Sequence, residues 1–321
     1  MIHARGLART FRTKRGQVKE DVVAVAGVDL DVAEGEVVGF LGPNGAGKTT
    51  TLRMLVTLLA PTAGTATVAG HDVARDPVAV RRSIGYVSQS GSTSREAIAG
   101  EEVVDHGMLY GIPRQRAEAR GRELFDQLDL PCIWGRKPGS LSGGQRRRLD
   151  IAMGLVHDPT LVFLDEPTTG LDPQARANLW THIRSLREER GMTIFLTTHY
   201  LDEADALCDR ILVIDHGQIV AADTPDALKR QVAGDLVELD LADTARVADA
   251  VAVLSAVDGA AEVAAHGRRV STRLPHAGSA LPRLLREIDA RGIALDAVEV
   301  RRPTLDDVFL TMTGRSLREE S

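Results

Sequence analysis

The chain has 321 residues, of which 43% are hydrophobic, and its 39 basic and 45 acidic residues give a formal net charge of −6. That length suits two domains with a sizeable core, and the mild acidity argues against a nucleic-acid binder, which carries a basic face. Two cysteines, Cys132 and Cys208, exclude a disulfide framework and fit a reducing cytosol, the charged start MIHARGLARTFRTKRG is unlike a secretory signal, and no apolar run is long enough to span a membrane.

Residues 21–42 alternate apolar and polar positions through VVAVAGVDLDV, turn at Glu34-Gly35 and run apolar through EVVGFLG, which predicts strand, turn, strand. KTTTLRMLVTLL then carries apolar residues at helical spacing and stops before Pro61. TATVAG and SIGYVSQ predict further strands. Across 91–157 the strand signal disappears, and EEVVDHGMLYG, RQRAEARGRELFDQL and QRRRLDIAMGLV predict an inserted helical subdomain. Strand and helix alternate after it, through LVFLDE, QARANLWTHIRSLREE, MTIFLTT, LDEADALC and RILVID. Such alternation predicts an α/β fold with a mostly parallel sheet covered by helices. At Gly234 the character changes to a βαββαβ order with a closing helix, LDDVFLTMTG, as in a small ferredoxin-like α+β domain. The expected domains are 1–233 and 234–321.

GPNGAGKT, Gly42 to Thr49, fits the phosphate-loop pattern between a strand and a helix. Its glycines let successive N–H groups curl toward phosphate oxygens, and the helix N-terminus adds partial positive charge. Lys48 then reaches the β and γ phosphates, and Thr49 ligates Mg²⁺. LVFLDEP ends a buried strand in two acids, at the sheet edge where ligands bind. Alone, that pair reads more readily as a helix cap or solvated turn than as a ligand site. Beside a phosphate loop, Asp165 holds Mg²⁺ through water and Glu166 accepts a proton from the attacking water. Gln89 at the end of IGYVS is either polar surface or a metal and water ligand that senses the γ-phosphate. His199 after TIFLTT is either a structural histidine or a γ-phosphate contact.

Five motifs stand in one order: GPNGAGKTT (42–50), YVSQ (86–89), LSGGQ (141–145), LVFLDEPTTGLD (161–172) and TTH (197–199). Over about residues 3–225 the set resembles the nucleotide-binding domain of an ATP-binding cassette transporter. The resemblance implies a P-loop NTPase fold with a mostly parallel core sheet, an antiparallel β subdomain and the inserted helical subdomain. It implies that Gly42, Pro43, Asn44, Gly45, Ala46, Gly47, Lys48, Thr49 and Thr50 form the Walker A loop, and that Asp165 and Glu166 are the Walker B aspartate and catalytic glutamate. Gln89 corresponds to the Q-loop glutamine and His199 to the switch histidine. Ser142, Gly143, Gly144 and Gln145 match the signature that contacts ATP held by a second copy of the chain, and Asp172 closes the loop between the two sites of that homodimer. Phe11 corresponds to the aromatic that stacks on adenine.

TLLAPTAGTATVAGHDV, THYLDEADALCDRILVIDHG and RRPTLDDVFLTMTG resemble the daunorubicin-resistance-like subfamily of drug exporters. That subfamily implies a separate ABC-2 type integral membrane permease as partner, a peripheral position on the cytoplasmic side of the membrane, and an assembly role for the C-terminal domain. The alternative is a soluble cassette ATPase acting on ribosome or DNA. Such chains carry two cassettes, a long coiled coil or a zinc insertion, and none of these is in the sequence. The arginines of LSGGQRRRLD occupy three consecutive helical positions and so point three ways. They are expected to form a solvated face or intra-domain ion pairs, with Arg147→Ala sparing both ATP binding and hydrolysis.

Overall fold

A computed structural model of the chain describes residues 1–15, 18–232, 234–275 and 277–313. It divides into a unit from Met1 to Pro225 and a unit beginning at Asp226. The sequence expectation put the boundary at 233/234. The change of character at Gly234 marks the first strand of the second unit, and most of the short helix before that strand already belongs with it.

In chain order the first unit contains β1 (Ile2–Arg15), β2 (Val18–Val32), β3 (Val37–Leu41), α1 (Lys48–Leu55), β4 (Ala63–Val68), β5 (His71–Asp72), α2 (Pro77–Ser83), β6 (Ile84–Val87), α3 (Ala99–Leu109), α4 (Arg114–Gln127), α5 (Gly143–Leu155), β7 (Leu161–Asp165), α6 (Pro173–Arg190), β8 (Thr193–Thr198), α7 (Leu201–Leu207), β9 (Arg210–Asp215) and β10 (Gln218–Asp223). Six strands form the central sheet in the order β10-β9-β3-β8-β7-β6. All neighbours pair in parallel except β9 with β10. The runs VVGFL, LVFLD and TIFLTT are buried at every position, as strands covered on both faces must be. Phe195 on β8 meets Phe40 on β3 and Phe163 on β7, each with ring centroids 5.6 Å apart.

A second sheet, β2-β1-β4-β5, is antiparallel. β2 and β3 follow one another across the Glu34-Gly35 turn but lie in different sheets. Leu52, Met54 and Leu55 of α1 fill one core cluster with Ile2, Val25 and Val68 from the antiparallel sheet and Phe40, Phe163 and Phe195 from the central one. β1 was not legible in the sequence because its register shifts between Ala4 and Leu7, between Leu7 and Ala8, and between Arg9 and Thr10, and each irregularity breaks the two-residue alternation. The helices α3, α4 and α5 form the inserted block, in which Phe125 meets Trp134 edge-on at 4.9 Å.

After α8 (Pro225–Arg230), the second unit runs β11 (Asp235–Leu241), α9 (Val247–Ser255), β12 (Ala261–His266), β13 (Arg269–Leu274), α10 (Ala277–Ala290), β14 (Leu295–Arg301) and α11 (Leu305–Thr313). Its sheet order is β12-β13-β11-β14 with every pair antiparallel, the ferredoxin-like arrangement expected from the βαββαβ order. Val237, Leu239, Val270 and Leu274 of the sheet pack with Leu254 of α9 and with Leu284 and Ile288 of α10.

One packing contact gives the first unit a pH dependence. The His157 ring stacks on Tyr110 with centroids 3.8 Å apart, and its Nε2 lies 2.9 Å from the Ile84 carbonyl, to which it donates. Burial holds its pKa at about 4, against an ordinary 6.5. The unfolded chain therefore takes up this proton first as pH falls. Stability present above pH 6.5 should decline toward pH 4 by up to about 3 kcal/mol. Denaturant unfolding across that range checks this, and His157→Gln should flatten the decline.

Candidate functional site

The C-terminal ends of β3, β6, β7 and β8 lie along one edge of the central sheet. Each strand end delivers part of a common site. β3 leads into the loop Gly42–Gly47, which passes directly into α1. Gly45 and Gly47 hold φ of 81° and 107°, a region that side chains rarely adopt, and these two positions turn the loop back on itself. The first helical hydrogen bond runs from Thr51 N–H to the Gly47 carbonyl at 2.9 Å. The N–H groups of Lys48, Thr49 and Thr50 precede it and have no carbonyl one turn back, so the helix opens on donors. Asn44 and Gly45 are exposed at the rim, whereas Gly42, Pro43, Ala46 and Gly47 are buried.

Lys48 is 4% exposed and donates to the carbonyls of Gly42 at 2.7 Å and Pro43 at 3.0 Å. Its Nζ also stands 3.6 Å from Glu166 Oε1. Burial pulls the ammonium below its ordinary pKa, against the opposing pull of Glu166 and Asp165.

Asp165 ends β7, Glu166 follows it, and they are 1% and 7% exposed. Asp165 Oδ1 accepts from the hydroxyls of Thr197 at 2.7 Å and Thr49 at 3.3 Å. Glu166 has a φ of 45°, unusual for a side chain of its size. Its N–H donates to Thr197 Oγ1 at 3.0 Å and to the Thr197 carbonyl at 3.1 Å. That backbone turn swings the carboxylate away from the strand and into the cluster, where the strain is retained by its surroundings. Glu166 Oε2 accepts from Gln89 Nε2 at 2.8 Å and from Thr169 Oγ1 at 3.1 Å. His199 Nδ1 lies 3.3 Å from the same oxygen, at ion-pair distance though not aligned as a hydrogen bond. Burial pushes the Glu166 carboxyl up, but His199, Lys48 and Thr169 outweigh burial and hold it below its ordinary value. A carboxylate so held is ionised at neutral pH and able to accept a proton.

Lys48, Thr49, Gln89, Asp165, Glu166 and His199 are thus brought together, although Gln89 and Glu166 are 77 positions apart in the chain. The other residues singled out in the sequence lie elsewhere. Ser142 caps α5: its Oγ accepts from Gln145 N–H at 3.2 Å, and Gln145 Oε1 accepts from Ser142 N–H at 3.1 Å. A Cβ added at Gly144 would come 3.2 Å from Ala175, so this turn borders the start of α6. Asp172 caps α6, accepting from Ala175 N–H at 2.9 Å. Phe11 is half-buried on β1 with the Arg9 guanidinium 4.7 Å from its ring centre. Gly16 and Gln17, in the segment that follows, lie outside the described residues.

The expectation for the arginines is corrected at Arg147. Arg146 donates to the carbonyls of Pro138 and Leu141, each at 3.3 Å, and Arg148 to Leu128 at 3.0 Å and Asp129 at 3.2 Å. Arg147 is not part of a solvated face. It is 7% exposed and donates to the backbone carbonyls of Ser88, Asp165 and Pro167. Thr197 and Thr169 were not singled out in the sequence either, although the TTH and PTTG motifs contain them.

The family described as ABC transporter matches residues 25–169, and the family described as ATP-binding protein DrrA1-3-like, C-terminal domain, matches 224–313. The daunorubicin resistance ATP-binding protein DrrA2 of Streptomyces coeruleorubidus is 44% identical over 98% of this chain and 95% of its own length. The chain belongs to the ATP-binding cassette transporter family. It is an ATP-binding, ATP-hydrolysing exporter subunit, and the ribosomal or DNA alternative is not favoured. A Nod factor export ATP-binding protein I from Burkholderia lata is 38% identical over 93% of this chain and 95% of its own length. The cassette fold also matches a dimeric ATP-binding cassette, MJ0796, in a post-hydrolysis state bound to ADP and Pi, with TM-score 0.63, 27% identity, and coverage of 70% of this chain and 98% of that one. No described helix is long and apolar enough to cross a membrane.

The Thr197 hydroxyl joins the two acids, donating to Asp165 and accepting from the Glu166 N–H. Thr197→Val should destabilise the chain by about 1–3 kcal/mol, the scale for leaving buried polar groups unpaired, and should lower turnover. Denaturant unfolding and steady-state ATPase rates read the two effects.

Proposed function

We propose that this chain powers efflux of hydrophobic, drug-like compounds as a homodimer docked on a separate ABC-2 type membrane permease, at the cytoplasmic side of the membrane. The observation that carries the site reading is the convergence of Lys48, Thr49, Gln89, Asp165, Glu166 and His199 on one cluster. The efflux reading draws on the daunorubicin and doxorubicin resistance proteins at 42–44% identity. The unit from Asp226 onward is the assembly domain for the permease, supported by its match to the DrrA-type C-terminal family.

Within the site, the loop Gly42–Thr50 wraps the ATP phosphates with backbone donors, and Lys48 exchanges its two carbonyl partners for phosphate oxygens. Thr49 and Asp165 are hard oxygen donors 3.3 Å apart, and with Gln89 they suit Mg²⁺, which takes few protein ligands and shares the rest with phosphates and water. Held by these residues, Mg²⁺ would supply charge neutralisation for the phosphates. Among the described residues no larger cluster of His, Cys, Asp or Glu offers a metal site. Glu166 takes a proton from the water that attacks the γ-phosphorus, while the bond to the β–γ bridging oxygen breaks and ADP leaves with that electron pair. His199 and Gln89 hold Glu166 and the water in line. Ser142, Gly143, Gly144 and Gln145, with Asp172, complete the site of the second copy, where small residues and the first N–H groups of α5 admit a phosphate. Phe11 stacks on adenine.

Glu166→Gln should keep ATP binding, stabilise an ATP-bound dimer and cut turnover by roughly 10²–10⁴-fold, the scale of a general base. Lys48→Ala should weaken nucleotide binding itself, whereas Gly144→Leu should spare binding and abolish hydrolysis. Unchanged turnover in Glu166→Gln would sink the role given to that residue. The exporter reading is checked by co-purification with a polytopic membrane protein, and a chain recovered from cells free of any membrane partner would count against it.

A further inference from the structure

The charged half of LSGGQRRRLD lies on the helix that the signature opens. Arg147 and Asp150 are three residues apart on α5, on the face turned toward the catalytic loops. Arg147 Nη1 donates to the Ser88 carbonyl at 2.5 Å, beside Gln89. Its Nε donates to the Pro167 carbonyl at 2.8 Å, and its Nη2 to the carbonyls of Asp165 at 2.9 Å and Glu166 at 3.4 Å. Asp150, 3% exposed, accepts at Oδ1 from the N–H groups of Ser92 at 2.8 Å and Thr93 at 3.1 Å, and from the Ser92 hydroxyl at 3.4 Å. Gly91 lies so close that an added Cβ would stand 2.7 Å from Asp150 Oδ2. The segment Ser88–Thr93, which carries Gln89, is therefore gripped on a carbonyl at one end and on amides at the other. The same guanidinium holds the carbonyl of Glu166.

Nearly all of these partners are backbone groups, so the grip fixes where the loops run. Only a planar fork of several donors reaches carbonyls from two loops at once; a lysine has the charge without the fork. One continuous helix, Gly143–Leu155, joins the signature turn to both grips. A shift of its N-terminus is a shift of Arg147 and Asp150.

We infer that Arg147 and Asp150 are positioning residues that tie the signature helix to Gln89 and Glu166 of the same chain, so that seating one copy's signature on the second copy's ATP sets the catalytic geometry in its own site. The inference rests on the homodimer reading above. It makes the two ATP sites communicate through the body of each chain, by contiguous hydrogen-bonded elements.

The test uses the full chain. Arg147→Lys keeps the buried charge and removes the fork. Asp150→Asn keeps an acceptor oxygen, and Asp150→Ala removes it. Arg147→Lys should bind ATP with parental affinity and KM, yet show kcat reduced by about 10–100-fold, the scale for misplaced catalytic groups, with the Hill coefficient falling toward one. In a Glu166→Gln background it should still form the ATP-bound dimer on size exclusion. Asp150→Asn should retain more activity than Asp150→Ala. Parental kcat and cooperativity in Arg147→Lys would overturn the inference. So would joint loss of ATP binding and dimerisation, which would mark a purely structural role. If Glu166→Gln itself retained turnover, the underlying site reading would fail; if that variant is dead while Arg147→Lys is parental, only the coupling fails.

Discussion

Two carboxylates side by side at the end of a buried strand are the constraint around which the cassette is organised. Asp165 and Glu166 have almost no access to water, and buried charges of like sign are costly unless each is paired and hydrogen-bonded. Their partners come from the strand ends along the same edge: Lys48 and Thr49 after β3, Gln89 after β6, Thr197 and His199 from β8 and its exit. These groups meet only because β3, β7 and β8 are paired in a register that sets Leu41 beside Thr198 and Asp165 beside Thr197. A one-residue slip would turn each side chain to the opposite face. The apolar runs that look like mere core are therefore what aligns the charged groups.

Much of this was legible in the sequence because phosphate chemistry demands particular residues at fixed spacing. GPNGAGKTT, LVFLDEP and TTH each sit at a strand end, and the alternation of strands and helices placed those ends on one edge of a parallel sheet. The βαββαβ order of the second unit is legible for a similar reason, since its strands are short and two clear helices flank the middle strand pair. β1 was not, because its bulges disrupt the alternation that marks a strand. Arg147 is not distinguishable in the sequence, since three consecutive arginines look alike and only the phase of α5 against the loops after β6 and β7 separates them. A signal is present in QRRRLDIAMGLV: α5 is buried at every position from Leu149 to Leu155, and the carboxyl side chain of Asp150 stands among them. A charge inside so apolar a stretch must have a partner.

The backbone carries much of the function. The phosphate loop offers N–H groups, Lys48 rests on carbonyls, and Arg147 and Asp150 hold their loops through main-chain atoms. Glu166 reaches the cluster through a left-handed turn of its own main chain. Side-chain identity matters most where buried charge must be balanced, at Lys48 and Glu166.

The reciprocal bonds between Ser142 and Gln145 bear on how a second copy would be received. They fix the signature turn before any partner arrives, so its loop need not be ordered on association. Conformational entropy that a mobile loop would lose at that moment has already been lost on folding. On the homodimer reading proposed above, association then carries no ordering cost at this turn, and the free energy of its contacts is not spent on fixing the loop.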